Sequence, residues 1–245
     1  QGLQHVGADP TILDVASWLL SIELDQAGGH MVNDLIRATG IGVQCGAFIS
    51  SVNLDASGSV VSVSLAESLG DESQVHTIDA DLVVMAAGIR PNDDLAKNAN
   101  LPVGPRGGVV VDEGCRTADP HVWSIGEVAH ILGRTWGLVA PANAMAEATA
   151  VNLLGGDSAV ADFDVATKLK FSGVDVAGFG DRLGKTPDCL EVVYADPARG
   201  IYQKIVVAQD ARTLLGGVFV GDTAPFDSLR PLLGRELPAE PGVYL

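Results

Sequence analysis

The apolar positions along the chain change period several times, and each change predicts an element. Gln1 to Val6 reads as the tail of a helix closed by Gly7, and Pro10-Thr-Ile-Leu-Asp-Val15 as a short strand. After Asp25, the residues Met31, Val32, Leu35 and Ile36 share one face at helical spacing up to Gly40, so a helix is predicted there. The next strand is predicted at Ile41-Gly-Val-Gln-Cys45. Val60 to Leu65 and Gln74 to Ile78 alternate around Gly70 and Asp71, the pattern of an antiparallel hairpin. Asp81-Leu-Val-Val-Met85 is a continuous apolar run, which predicts a strand buried on both faces.

Gly88 and Pro91 break that pattern. A short helix is predicted over Asp93 to Asn98, strands at Gly108-Val-Val-Val111 and Val122-Trp-Ser-Ile125, and a helix from Pro141 to Leu154 with proline in its first turn and Gly155 past its end. A boundary falls near Gly155-Gly-Asp-Ser158. Beyond it the chain reads as three strands, Leu190 to Tyr194, Ile201 to Ala208 and Leu214 to Val220, joined by the turns Asp196 to Gly200 and Asp210 to Arg212. A helix over Ser228 to Leu237 completes an antiparallel meander with a covering helix, an α+β unit.

Composition narrows the function classes. Of the 245 residues, 47% are apolar, which is too many for a disordered chain. Fifteen basic against thirty-one acidic side chains give a net charge of −16, which argues against nucleic acid and against an anionic membrane surface as partners. Cys45, Cys115 and Cys189 lie far apart with no C-x-x-C pair, so no metal or iron–sulfur site arises from local spacing. The thiols suit a reducing compartment, and a cytoplasmic location is expected. The first residues carry no basic and apolar leader pattern, and the least charged long stretch, Gly137 to Gly156, contains Pro141, Asn143 and Glu147. The chain begins at Gln1 rather than Met, so an internal fragment is expected.

The strongest chemical signal is Arg116-Thr-Ala-Asp-Pro-His-Val-Trp-Ser-Ile-Gly-Glu127. It resembles the second flavin-binding motif of the FAD- and NAD(P)-dependent pyridine nucleotide oxidoreductases. The resemblance implies that Glu127 accepts a hydrogen bond from a ribityl hydroxyl of FAD and that Gly126 lets the backbone approach the flavin chain. Asp81 to Asn92 resembles the crossing from the NAD domain back to the FAD domain, with Ala87 where many members have Thr, and with Gly88 at the close turn. Leu138-Val139-Ala140-Pro141-Ala142 opens the helix whose N-terminal amides, in that family, face the flavin ring. Asp14, at a strand end, is placed to accept from the adenosine ribose of the dinucleotide and to disfavour a 2′-phosphate. The alternatives for these residues are a helix-capping Glu127, an ordinary core helix and a solvated Asp14.

Within the family the likeness is strongest to the assimilatory nitrite reductase branch, through Leu24-Asp-Gln-Ala-Gly-Gly29, Gly137 to Pro141 and Ala166 to Asp181. The resemblance implies an α/β fold: remnants of two Rossmann-like nucleotide-binding domains plus a C-terminal α+β module. The expected divisions are 1–85 for the later part of the NAD(P) domain, 86–157 for the second half of the FAD domain and 158–245 for the C-terminal module. Expected cofactors are FAD and NAD(P)H, with siroheme and iron–sulfur centres held by residues outside these. The glycine loop G-x-G-x-x-G that binds a pyrophosphate is missing from the sequence, as is any redox C-x-x-C, so the fragment alone is expected to be inactive and to bind FAD weakly or not at all. Expected partners are a nicotinamide dinucleotide, a downstream redox centre or electron carrier, and a second copy in a homodimer. Lys168 and Lys170, on alternate positions of one strand, could face an acidic carrier or merely solubilise that face. No side chain reads as a general acid or base. The rival functions are a rubredoxin- or ferredoxin-type reductase and a flavin-free, partner-binding scaffold.

Overall fold

The computed structural model describes residues 2–66, 75–163 and 165–245. They divide into two compact units, Gln1–Val84 with Val165–Leu245, and Met85–Asp164.

The first unit opens with α1 (Gly2–His5), which Gly7 ends at φ +87°, a left-handed value that glycine adopts without a Cβ clash. Strand β1 (Thr11–Asp14), helix α2 (Gln26–Ala38) and strand β2 (Gly42–Cys45) form a βαβ unit, with Asp14 opposite Cys45 in a parallel pair. Asp25 caps α2 by accepting from Gly28 N–H at 3.0 Å. Next comes an antiparallel sheet of β3 (Phe48–Leu54), β4 (Val60–Ala66) and β5 (Val75–Asp79). The predicted hairpin thus forms with β3 as an extra partner, while its turn at Gly70 and Asp71, and Gln74, lie outside the described residues.

The same unit contains β9 (Thr167–Phe171), β10 (Val174–Gly180), β11 (Leu190–Asp196), β12 (Ile201–Val207) and β13 (Leu214–Val220), paired in the order β11-β12-β13-β10-β9, all antiparallel. Strand alternation splits its side chains between two cores. Val174, Val176, Tyr202, Val218 and Val220 pack with Leu24, Val32 and Ile36 of the α2 region. Ala177, Phe179, Ile205 and Phe219 pack with Phe226 and Leu229 of α5 (Ala224–Leu229). The covering helix predicted over 228–237 is instead α5 plus a 3-10 turn, Arg230–Leu232, because Pro231 lacks the N–H to continue it and Gly234 turns at φ +75°.

The second unit holds α3 (Asp94–Asn98), β6 (Val109–Val110), β7 (Ala129–Ile131), β8 (Arg134–Thr135) and α4 (Val139–Leu153). Strand β6 runs parallel to β7, which turns back into β8. Two strand predictions are corrected. Residues 81–85 form no strand, and Leu82, Val84 and Met85 are exposed: a run apolar on both faces needs neighbours on both sides, and none of the described residues pairs with it. Residues 122–125 form one bridge, Trp123 to Arg116, in place of a strand.

Candidate functional site

Asp14 lies in the first unit and the other candidates in the second. The Asp14 carboxylate accepts the Ala16 N–H through Oδ1 at 2.9 Å, and Oδ2 has no hydrogen bond among the described residues. One acceptor oxygen at the end of β1 therefore remains for a ligand hydroxyl.

In the second unit, Gly126 opens a 3-10 turn, Gly126–Val128, that packs against α4. Its φ of +77° requires glycine by conformation rather than by crowding, because an added Cβ would meet nothing within 4 Å. Glu127 is exposed and makes no ion pair or hydrogen bond among the described residues. Helix α4 begins after Leu138, whose apolar side chain cannot cap it. Pro141 has no N–H, and the N–H groups of Val139 and Ala140 have no acceptor among the described residues; both residues are exposed. The positive end of a fifteen-residue helix is thereby open to solvent. Ala87 and Gly88 are exposed, Gly88 at φ +92°, and the neighbouring Ile89 reaches Gly137, its Cδ1 3.2 Å from where a Cβ there would stand. Met85, Ile89, Ile125, Leu138 and Val139 leave apolar surface exposed near these groups in the sequence.

These features fit the ring and ribityl part of a flavin: an unpaired carboxylate for hydroxyl donors, free amides at a helix N-terminus for a negatively charged ring edge, and glycines that let the backbone come close. Ala87 offers no hydroxyl.

The Thr-x-x-Pro part of the sequence motif has a structural task. Thr117 Oγ1 donates to Val122 O at 2.9 Å and accepts from Asp119 N–H at 3.1 Å, closing the turn that leads to Gly126. Lys168 is paired with Asp227 at 2.7 Å, so half of the predicted basic strand pair is neutralised.

The sequence did not reveal a buried cluster in the first unit. Lys204 on β12 is 1% exposed, with Nζ 2.6 Å from Asp25 Oδ2 and 3.0 Å from Glu191 Oε1. Tyr202 Oη donates to Asp25 Oδ2 at 2.6 Å. Burial pushes the Asp25 carboxyl up, but the bonds from Lys204, Tyr202 and Gly28 outweigh it and hold it below the ordinary aspartate value. Burial likewise pushes Lys204 down, and its two carboxylate partners outweigh that and raise it. Burial first, and then Asp25, raise the Tyr202 hydroxyl. A lysine in the middle of an apolar strand was the available signal.

The parallel β1-α2-β2 unit with the antiparallel C-terminal sheet places the chain in the α/β class. The chain belongs to the pyridine nucleotide-disulphide oxidoreductase family, whose model matches residues 2–148; residues 166–237 match the rubredoxin NAD+ reductase C-terminal domain. The family uses FAD and NAD(P)H. The chain is 36% identical over 241 residues to the nitrite reductase (NADH) large subunit of Escherichia coli, covering 98% of this chain and 28% of that one. It is 37% identical to the nitrite reductase [NAD(P)H] large subunit of Klebsiella oxytoca, covering 98% and 24%. It therefore spans about a quarter of the length of these relatives. Among solved structures, an NAD-dependent persulfide reductase from A. fulgidus superposes with a TM-score of 0.79 at 21% identity, over 96% of this chain and 46% of that one. A ferredoxin reductase from Rhodopseudomonas palustris gives 0.77 at 21% identity, over 96% and 56%. Among the described residues no helix is long and apolar enough to cross a membrane.

Proposed function

We propose that these residues form the ribose-accepting and flavin-ring-facing portion of an NAD(P)H-dependent flavoprotein that passes electrons to a metal centre, with nitrite reduction as the reaction of the whole protein. The observation that carries this reading is the uncapped start of α4, exposed at Val139 and Ala140, in a helix that packs against the turn bearing Gly126 and Glu127. Bound FAD would supply the conversion of a hydride pair into single electrons. Glu127 accepts from a ribityl hydroxyl, and the Val139 and Ala140 amides stabilise negative charge on the ring edge. Gly88 and Gly126 allow close backbone approach. Asp14 accepts from the adenosine ribose and favours NADH over NADPH.

The pieces 1–85, 86–157 and 158–245 are inherited modules in this reading, and the protein is cytoplasmic. Siroheme and iron–sulfur centres belong to other residues, since the three cysteines here are dispersed. A homodimer is supported by the exposed edge strand β11 with Leu190, Val193 and Tyr194 uncovered.

A second reading, a reductase of rubredoxin or ferredoxin, is favoured by the match of residues 166–237. Replacing the matched segment of the E. coli subunit with this chain tests both. NADH-dependent nitrite reduction, lost on Glu127→Ala, is the expected result. Reduction of rubredoxin or ferredoxin without nitrite turnover selects the second reading. A folded chimera that binds no flavin and oxidises no NADH makes the chain a non-catalytic module.

A further inference from the structure

The segment from Asp14 to α2 has little regular structure, yet it is pinned at almost every step. Ala16 N–H is held by Asp14, Trp18 Nε1 donates to Leu24 O at 3.0 Å, and Leu19 N–H donates to the buried Asn33 side chain at 3.1 Å. Its far end is fixed to the C-terminal sheet twice. Glu23 pairs with Arg182, whose guanidinium also donates to Thr167 Oγ1 at 3.0 Å and Val165 O at 2.9 Å. Asp25 takes Lys204 and Tyr202 from β12. Leu19 and Leu24 sit between these anchors, in one core with Val176, Val218 and Val220.

An ammonium buried to this degree is costly unless its partners are held in place. The cluster has such partners in Asp25 and Glu191, with Tyr202 donating to the same Asp25 oxygen. We propose that Lys204 is a positioning residue: from strand β12 it fixes the segment leading away from Asp14, so that the C-terminal sheet sets the conformation of the carboxylate that takes the adenosine ribose of a dinucleotide. This rests on the assignment of Asp14 to the ribose. The C-terminal sheet then acts as a second layer of the dinucleotide site, and a change at β12 is felt at the end of β1 without any contact between Lys204 and the ligand.

Amide hydrogen exchange and an ADP-ribose titration on the full chain, followed by NMR, test this. Lys204→Met should speed exchange across 16–29 by about tenfold or more, the scale of one lost charge-assisted hydrogen bond. ADP-ribose affinity, read at the amides of Asp14 to Ala16, should fall several-fold while exchange in β10, β12 and β13 stays slow. Tyr202→Phe, which keeps the ring in the core, should shift both readouts in the same direction by less, and it decides the matter if Lys204→Met does not fold. Unchanged exchange over 16–29, or an equal rise throughout the sheet, overturns the proposal. If wild type shows no saturable shift at Asp14, the ribose assignment falls, and the exchange data alone decide whether Lys204 fixes the segment.

Discussion

Lys204 and Asp25 meet at 2.6 Å although they stand near opposite ends of the chain, one in the middle of a strand and the other at a helix N-cap. The lysine side chain is 1% exposed and the aspartate 25%, so the pair is only partly shielded. Removing one partner strands the other charge, and replacing both removes the need for either. Lys204→Met should therefore weaken the docking of the 16–29 segment on the sheet by about 3 kcal/mol, the lower end for a buried pair because Asp25 keeps some water. Asp25→Asn combined with Lys204→Met should recover part of that loss. Chemical denaturation followed by Trp18 fluorescence measures both, and strictly additive losses would show that the residues act separately.

The pH dependence comes from the same cluster. Asp25 is held below its ordinary value, so its contribution is complete above the unfolded aspartate pKa and fades as pH falls through the depressed one. Lys204 and Tyr202 are raised, so theirs is complete below their unfolded values and fades only in strong alkali. The cluster's contribution should thus be flat from about pH 4 to pH 10. Stability should drop in acid, with Asp181 adding to the fall: burial pushes its carboxyl up, but bonds from Thr186 and Lys185 outweigh that and hold it low. Asp25→Asn should make the acid limb shallower without removing it, which an acid titration of Trp18 fluorescence would record.

Two glycines separate crowding from conformation. A Cβ on Gly29 would stand 2.0 Å from Trp18 Cδ1 and 2.9 Å from its Cβ, inside the first turn of α2. Gly29→Ala must displace the indole and should cost about 1–3 kcal/mol, despite the higher helix propensity of alanine. Gly126→Ala meets open space but forces φ +77° on an L-residue, so a loss of about 1–2 kcal/mol is expected from backbone strain alone. Thermal unfolding of the two variants should show the first loss in the Trp18 signal and the second in that of Trp123 and Trp136.

Local spacing controls the parts of the fold that were legible in the sequence. The α2 face, its Asp25 cap and the three-strand meander each repeat within a few residues, and the structure forms them there. Strand β3 escaped because Ser50, Ser51 and Asn53 dilute its apolar alternation on a partly solvated sheet. The strand predicted at 81–85 failed for the opposite reason, since apolarity records a tendency to be covered and not the presence of a cover. In the second unit, Gly126 and Glu127 were singled out from one motif and the helix from its proline and the glycine past its end, two residues late at Pro141, whereas the absence of a cap at Leu138 needed coordinates. The Asp25–Tyr202–Lys204 cluster joins distant stretches, and no local pattern encodes that.

Asn152 offers a test of whether the second unit unfolds on its own. Its buried side chain donates to Gly114 O at 3.1 Å and Ser158 O at 2.8 Å, and accepts from Ser158 N–H at 2.8 Å. Asn152→Ala leaves these backbone groups unpaired and should cost about 1–3 kcal/mol. The loss should appear in the Trp123 and Trp136 transition and leave the Trp18 transition in place, because the units are separate compact bodies. A shift of equal size in both signals would mean that the units unfold together.

Flavin binding by the 245 residues themselves depends on what the site contains. The ring edge and ribityl chain have the α4 amides and Glu127, but the sequence holds no G-x-G-x-x-G loop for the pyrophosphate, whose two phosphates carry most of the charge in FAD. The chain should therefore bind FAD weakly, and riboflavin nearly as well as FAD, because the dinucleotide half adds little without its loop. Glu127→Gln should weaken both about equally while leaving thermal stability within about 0.5 kcal/mol, since the side chain is exposed and unpaired. Quenching of flavin fluorescence on titration measures all four affinities. A stoichiometric yellow complex with FAD, or a large preference for FAD over riboflavin, would mean that other residues of this chain hold the pyrophosphate.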